Sequence, residues 1–149
     1  MLDEATRKEL ALEHCRRMTS GDVDHMLGLY TKDVRFEDPV GSVPMIGHDE
    51  LRPHFQRAAE AKTVDVAGIP VAAQDGIHVA IPVAVYMNYL PLGPTLTKHG
   101  YLDKPTNPFQ KRIKFDLTSI FRTGSHGLIE AVWVYWGKSD LSLLDPGEE

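Results

Sequence analysis

The chain has few of the residues that cross-link a protein or embed it in a bilayer. Its 149 residues include one cysteine, Cys15, which cannot form a disulfide within the chain. A single cysteine also excludes a cysteine cluster for zinc or iron–sulfur. The longest apolar stretch, residues 77–92, contains His78, Asn88 and two prolines. It is too short and too interrupted to span a membrane, so we expect no membrane partner.

Several motifs with known chemistry are missing as well. The seven histidines are scattered and form neither an HExxH motif nor a His-x-His pair, so we expect no metal site. The chain has no GxGxxG, no phosphate-binding P-loop and no GxSxG. These absences disfavour the common nucleotide-dependent and serine-nucleophile enzymes.

Composition and charge further narrow the class of protein and the partners that it could bind. Apolar residues make up 42% and charged residues 25%, values typical of a globular domain, so we expect one domain over residues 1–149. A net charge of −5 repels phosphate backbones, and we therefore expect no nucleic-acid partner. The first nine residues are charged and do not resemble a signal peptide, which favours a cytoplasmic location.

The hydrophobic pattern predicts helices first and strands afterwards. Helices are expected over residues 5–19, 23–30 and 49–60, with Pro53 in the first turn of the third. Strands are expected over residues 34–38, 63–71, 77–89, 95–102, 112–122 and 128–136. This order predicts an α+β fold, with three N-terminal helices packed on a curved, mostly antiparallel sheet that forms a cone. The interior of such a cone is suited to a small-molecule pocket.

Asp38 is the strongest candidate for chemistry. Side chains alternate along a strand, so Val34, Phe36 and Asp38 share a face, and the two apolar residues make that face the buried one. A carboxyl group in apolar surroundings has a raised pKa and can act as a general base near neutral pH. The alternative is a turn cap, since Asp before proline often begins a turn.

His14 shares an apolar helix face with Leu10 and Met18, and two interpretations stay open. It is either a core histidine with satisfied nitrogens or a polar group inside the same cavity as Asp38. Most acid–base chemistry also needs a second acid, for which the strands offer Asp65, Asp103 and Asp116. Asp65 shares its face with Ala67 and Ile69, whereas Asp116 is expected to point away from the core.

Aromatic and polar side chains near the ends of two strands are weaker candidates. Tyr86 and Asn88 lie near the end of one long strand, and Trp133, Tyr135 and Trp136 crowd the last strand. Such aromatics are most often core or dimer interface. We expect one edge of this group, which includes Trp133, to line the pocket of a bulky apolar ligand.

The segment FEDPVG at residues 36–41, with SGD at 20–22 and LY at 29–30, resembles the ketosteroid-isomerase and SnoaL-like superfamily. The segments GHDELR at 47–52, YLPLGP at 89–94 and YWGKSDL at 135–141 are more specific. Together they resemble the epoxide hydrolase/cyclases of polyether-ionophore biosynthesis. That similarity extends from about residue 11 to residue 144.

The resemblance implies a homodimeric cone whose deep pocket binds a long polyketide and forms a cyclic ether without a cofactor. It implies that Asp38 is the base and that a second acid, commonly Glu, lies on the following strand. That position falls on Asp65, whose side chain is one methylene shorter. If Asp65 falls short, Asp103 is the alternative acid. His14, Tyr86, Asn88, Ser119 and Trp133 are the expected substrate-binding residues.

Two other functions stay open at this point. One is an isomerase or dehydratase of the same superfamily that uses Asp38 alone. Against it, His14 and Ser119 occupy the positions at which ketosteroid isomerase has its Tyr and protonated Asp oxyanion donors. The other is a non-catalytic subunit that activates a paralogous cyclase.

Overall fold

A computed structural model describes residues 1–148, in which four α-helices lie against a curved sheet. The helices are α1 (Glu4–Ser20), α2 (Val23–Leu27), α3 (Gly47–Glu60) and α4 (Gly93–Lys98), and 3-10 turns cover Pro108–Gln110 and Lys138–Asp140. Asp3 caps α1 by accepting a hydrogen bond from the Thr6 amide at 2.7 Å, and Gly21 ends it in the left-handed conformation. Asp22 caps α2 by accepting a hydrogen bond from the His25 amide at 3.1 Å.

The sheet has eight strands among the described residues: β1 (Tyr30–Glu37), β2 (Met45–Ile46), β3 (Val64–Ala67), β4 (Val71–Ala72), β5 (His78–Asn88), β6 (Arg112–Thr123), β7 (Ile129–Tyr135) and β8 (Leu141–Leu144). The main order is β2-β1-β7-β6-β5-β3, with β4 paired to β5 and β8 to β6. The β1–β7 pair is parallel and every other strand pair is antiparallel. The predicted α+β architecture is therefore confirmed.

Alternation along the strands decides which side chains face the helices. On β5, Val79, Ile81, Val83, Val85 and Met87 are buried, while the residues between them are half-buried or exposed. The buried set packs against α1 and belongs to one continuous core with residues of α3, β1, β6 and β7. No helix in the described part of the chain combines the length and the apolar character needed to cross a membrane.

The largest error of the sequence-based prediction is the strand expected over residues 95–102. The structure has helix α4 there, beginning two residues earlier. Pro94 lies in the first turn of this helix, where its fixed φ favours the helix and its missing amide costs nothing. The expected strand over residues 63–71 is divided into β3 and β4 at Gly68, which packs against Pro82 with no space for a Cβ atom.

Smaller differences concern the ends of elements. Helix α2 stops at Leu27, because Tyr30 is the first residue of β1 rather than the last of a helix. Helix α3 begins at Gly47, so Pro53 lies inside it and not in its first turn. Strands β2 and β8 are not predicted from the sequence, since strands of two and four residues carry almost no periodic signal.

Arg7 is a charged residue that the fold buries, with 2% of its surface exposed. Its guanidinium group donates to the backbone carbonyl of Leu2 at 3.1 Å, of Ala73 at 2.9 Å and of His78 at 2.7 Å. These bonds join α1 to the segment between β4 and β5. A buried carbonyl group that loses its hydrogen-bond donor destabilises the folded state. This one side chain therefore holds two parts of the fold together.

We predict that Arg7→Ala lowers the free energy of unfolding by about 2–4 kcal/mol, because three carbonyl oxygens lose a donor. Arg16→Ala is the matched control on the same helix, since Arg16 is exposed and forms only surface ion pairs; its effect should stay below about 1 kcal/mol. Urea denaturation measures both values. Equal losses in the two variants would contradict this account.

Candidate functional site

A cavity of about 390 Å³ lies between the helices and the inner face of the sheet. Its walls are mostly apolar and come from α1, α3, α4 and from strands β1, β3, β5, β6 and β7. They include Met18, Phe36, Val85, Met87, Phe115 and Leu117. The volume falls in the lower part of the range of about 300–1,000 Å³ typical of small-molecule sites. The expected pocket inside the cone is therefore present.

Asp38 lies on the wall of this cavity, one residue beyond the end of β1. Val34 and Phe36 on the same face are buried, at 0% and 2% exposure, as the alternation predicts. The indole Nε1 of Trp136 donates a hydrogen bond to Oδ1 of Asp38 at 2.8 Å. Nε2 of His54, from α3, lies 3.5 Å from Oδ2. The hydrogen bond from Trp136 therefore orients this carboxyl group, and His54 lies near its second oxygen.

Asp65 lies in the same cavity, on β3. Burial raises the pKa of its carboxyl group from the ordinary value of 3.8 to about 7; a hydrogen bond with Cys15 opposes the shift and the charge of Asp38 adds to it. Its own backbone amide donates to Oγ1 of Thr19 at 2.9 Å, which ties β3 to α1. At neutral pH this carboxyl group holds a proton in a large share of molecules and can donate it.

The sequence predicts an apolar, inward face for Asp65, and this prediction is wrong. Ala67 and Ile69, which share that face, are both exposed. Val64 and Val66, on the other face of β3, are exposed too. Asp65 is half-buried because α1 covers it from the side of Cys15, a contact between distant segments.

His14 and Ser119 also line the cavity, at its buried end. His14 Nε2 forms a hydrogen bond with the hydroxyl group of Tyr30. Burial lowers the pKa of His14 to about 3, so the imidazole is neutral at physiological pH. Burial also raises the pKa of Tyr30 well above 10, with the charges of Asp65 and Asp38 as smaller causes. His14 and Tyr30 therefore form a polar but uncharged pair at the buried end of the cavity.

The structure does not place Asp103 with these groups. It is exposed, it follows helix α4 instead of ending a strand, and it is not among the residues that line the cavity. The expectation that it faces the cavity depended on the strand at residues 95–102, which does not form. Asp116, as expected, is exposed on the outer face of β6.

Three of the expected substrate-binding residues point to the other side of the sheet. Tyr86 and Asn88 alternate with Val85 and Met87, so they face outwards. The ring of Tyr86 lies 5.7 Å from Nζ of Lys114. Trp133 alternates with the cavity residue Val134 in the same way, and its ring lies 6.1 Å from that of His78. The prediction for Trp133 is therefore wrong, and the tryptophan that lines the cavity is Trp136.

Three residues close to the two carboxyl groups, Trp136, His54 and Cys15, line the cavity without being predicted to. Trp136 continues the inward alternation of Val132 and Val134, so a local pattern does indicate its direction. Its contact with Asp38 also requires β1 and β7 to pair in parallel, which no local pattern predicts. Among residues 1–148, no group of three or more His, Cys, Asp or Glu side chains is placed to hold a metal ion.

Comparison with known proteins gives a consistent set of relatives. Residues 11–132 match the model of the SnoaL-like domain. Over 146 residues the chain is 44% identical to the epoxide hydrolase LasB of Streptomyces lasalocidi, covering 97% of this chain and 52% of LasB. The chain thus spans about half the length of that curated relative.

Solved structures show the same similarity. The chain matches SalBIII with a TM-score of 0.82 and 28% identity, over 97% of this chain and 100% of the other. SalBIII is described as an epoxide hydrolase/cyclase-like enzyme with a role in pyran ring formation in the polyether salinomycin. A computationally designed 17-OHP binder matches with a TM-score of 0.73 at 12% identity, over 93% and 96% of the two chains, which shows the fold alone.

The raised pKa of Asp65 predicts a pH-dependent stability. The folded state holds the Asp65 proton up to about pH 7, whereas the unfolded chain releases it near 3.8. The stability that protonated Asp65 contributes is therefore fully present below about pH 4 and is lost as the pH rises through 7. Relative to Asp65→Asn, the wild-type protein should lose roughly 1–4 kcal/mol of unfolding free energy between pH 4 and pH 8.

Urea denaturation across that pH range measures the difference. Asp103→Asn is the control, because it removes an exposed carboxyl group outside the cavity. Parallel stability profiles for the wild type and Asp65→Asn would show that the Asp65 pKa is not raised.

Proposed function

This chain is a member of the SnoaL-like domain family, and from that premise we propose that it is a cofactor-independent cyclase of polyether polyketide biosynthesis. The reaction is the attack of a substrate hydroxyl group on an epoxide carbon, or on an allylic or alkene carbon, which forms a tetrahydrofuran or tetrahydropyran ring. The observation that carries the proposal is the pair of carboxyl groups, Asp38 and Asp65, in one apolar cavity but in unlike surroundings. The names of LasB and SalBIII support it.

Ring closure needs a base and an acid at the same pH. An alcohol becomes a good nucleophile as its proton leaves, and an epoxide oxygen becomes a good leaving group as it gains one. Asp38 is the base in our proposal, because it is held by nitrogen groups that suit a carboxylate acceptor. Asp65 is the acid, because burial raises its pKa to about 7, so that a large share of molecules hold this proton at neutral pH.

For an epoxide substrate, the proposed step balances without an outside reactant. The Asp38 carboxylate takes the hydroxyl proton while the hydroxyl oxygen forms a bond to one epoxide carbon. The bond from that carbon to the epoxide oxygen breaks, and this oxygen takes the proton of Asp65. The product is an isomer of the substrate. A proton must then return from Asp38 to Asp65 through solvent or the product hydroxyl group.

The cavity also contributes by holding the substrate in a folded conformation. Its walls are aliphatic and aromatic, so they select conformations of a flexible chain by shape. Bringing the hydroxyl and the electrophilic carbon together can lower the barrier by up to about 7–11 kcal/mol. An apolar interior also limits the access of water, which would otherwise open the epoxide to a diol.

We predict that Asp38→Asn abolishes ring closure of a hydroxy-epoxide substrate and leaves the fold intact. Asp65→Asn should lower kcat about 10²–10⁴-fold, because the leaving oxygen loses its proton donor. Asp103→Asn should keep wild-type activity. Chromatography separates the cyclic isomer from the substrate, and mass spectrometry identifies a diol by its added water. Full activity of Asp38→Asn would reject the proposal.

The same preparation tests the two alternatives. Turnover of a Δ5-3-ketosteroid would favour the isomerase, although a neutral His14 bonded to Tyr30 is a poor substitute for strong oxyanion donors. An inert chain that accelerates a paralogous cyclase would favour the activating subunit. Activity of the purified chain alone excludes that alternative.

We further propose that the chain forms a homodimer through the outer face of the sheet. Val64, Val66 and Tyr135 expose 38%, 53% and 47% of their surfaces on this face, around the outward-facing Pro82 and Ala84. A second copy would cover this apolar area. A heterodimer with a paralogue is the alternative.

Sedimentation equilibrium of the purified chain should give twice its mass of 16.6 kDa. Val66→Arg should shift the equilibrium toward monomer by placing a charge in the interface. Phe109→Arg is the control, because Phe109 is exposed in the 3-10 turn before β6. A monomeric wild type would contradict the proposed dimer.

A further inference from the structure

The opening of the cavity is marked by three exposed side chains. Among the residues that line the cavity, only Ser42, Arg57 and His99 are exposed, and all the others are buried or half-buried. These three come from the loop after β1, from α3 and from the residue that follows α4. We call this set the mouth.

Arg57 is the one arginine or lysine among the lining residues that the structure describes. Its side chain forms no hydrogen bond or ion pair with any described residue. Arg52, five residues earlier on the same helix, differs in this respect, because it pairs with Asp24 at 2.7 Å. The mouth therefore presents a guanidinium group with its donors free for a ligand.

The volume of the cavity determines which part of a long substrate lies beside Arg57. A volume of about 390 Å³ is small for a long polyketide. The segment that reacts can lie between Asp38 and Asp65, while the rest of the substrate must leave through the mouth. Whatever group the outer part carries passes Ser42, Arg57 and His99.

On this basis we propose that Arg57 anchors an oxyanion, a carboxylate or a phosphate, on the part of the substrate outside the cavity. The proposal rests on the cyclase function and specifies its substrate as a chain that is apolar at the reacting segment and anionic beyond it. Guanidinium matches both anions in a bidentate geometry. A carboxylate would be part of a free acid, and a phosphate would belong to a carrier arm that bears the chain.

The charges of the protein make such an anchor useful. A net charge of −5 and the proposed carboxylate of Asp38 oppose the entry of an anion. The same repulsion keeps an anionic end out of the cavity interior. Arg57 then holds that end at the mouth, so the substrate enters in one direction only.

Binding of simple probes tests the anchor without any ring closure, so a failure of the cyclase proposal leaves this test readable. Isothermal titration calorimetry compares octanoate, octyl phosphate and 1-octanol on the wild-type chain. We expect at least one anion to bind about tenfold more tightly than the alcohol. The anion that binds more tightly identifies the source, a free acid or a phosphate-bearing carrier arm.

Variants separate Arg57 from general effects of charge. Arg57→Ala should remove the preference for the anion and leave the affinity for 1-octanol unchanged, which also shows that the cavity is intact. Arg57→Lys should keep part of the preference, and Arg52→Ala should keep all of it. Equal affinity for the three probes, binding of none of them, or a preference that survives in Arg57→Ala would overturn the proposal.

Discussion

Burying a carboxyl group in an apolar cavity without a cation beside it is the constraint on which this site depends. An ionised carboxylate is strongly destabilised there, so the group keeps its proton to a higher pH instead. Asp65 meets this condition, and its pKa of about 7 follows from burial first and from the neighbouring Asp38 charge as a smaller cause. In the proposed chemistry this carboxyl group is the proton donor at neutral pH.

Asp38 differs in its contacts. Trp136, the residue after β7, donates a hydrogen bond to one oxygen of Asp38. His54 of α3 lies near the other oxygen. Two residues of the same type, in one cavity, thus have different environments. General acid–base chemistry requires this difference, because one group must accept a proton while the other gives one. The proposed Arg57 anchor would also fix the orientation of the substrate. By holding its anionic end at the mouth, Arg57 would determine which segment of the substrate reaches Asp38 and Asp65.

Some of this could be predicted from the sequence. The alternation of Val34, Phe36 and Asp38 is local, and it predicts the inward direction of Asp38 correctly. The contact between Asp38 and Trp136 is not local, because it needs the parallel register of β1 on β7 across about a hundred residues. The sequence predicts a buried apolar face around Asp65, but Ala67 and Ile69 on that face are exposed. Its burial comes from α1, and packing between distant elements leaves no periodic signal.

The most direct test is a titration of the Asp65 carboxyl group itself. Carbon-13 NMR of aspartate-labelled protein, with the signal assigned by its loss in Asp65→Asn, follows the protonation of this group with pH. A midpoint near pH 7 is the result that a buried proton donor requires. A midpoint near 4 would mean that the group is ionised at neutral pH and that Asp65 is not the acid of this site.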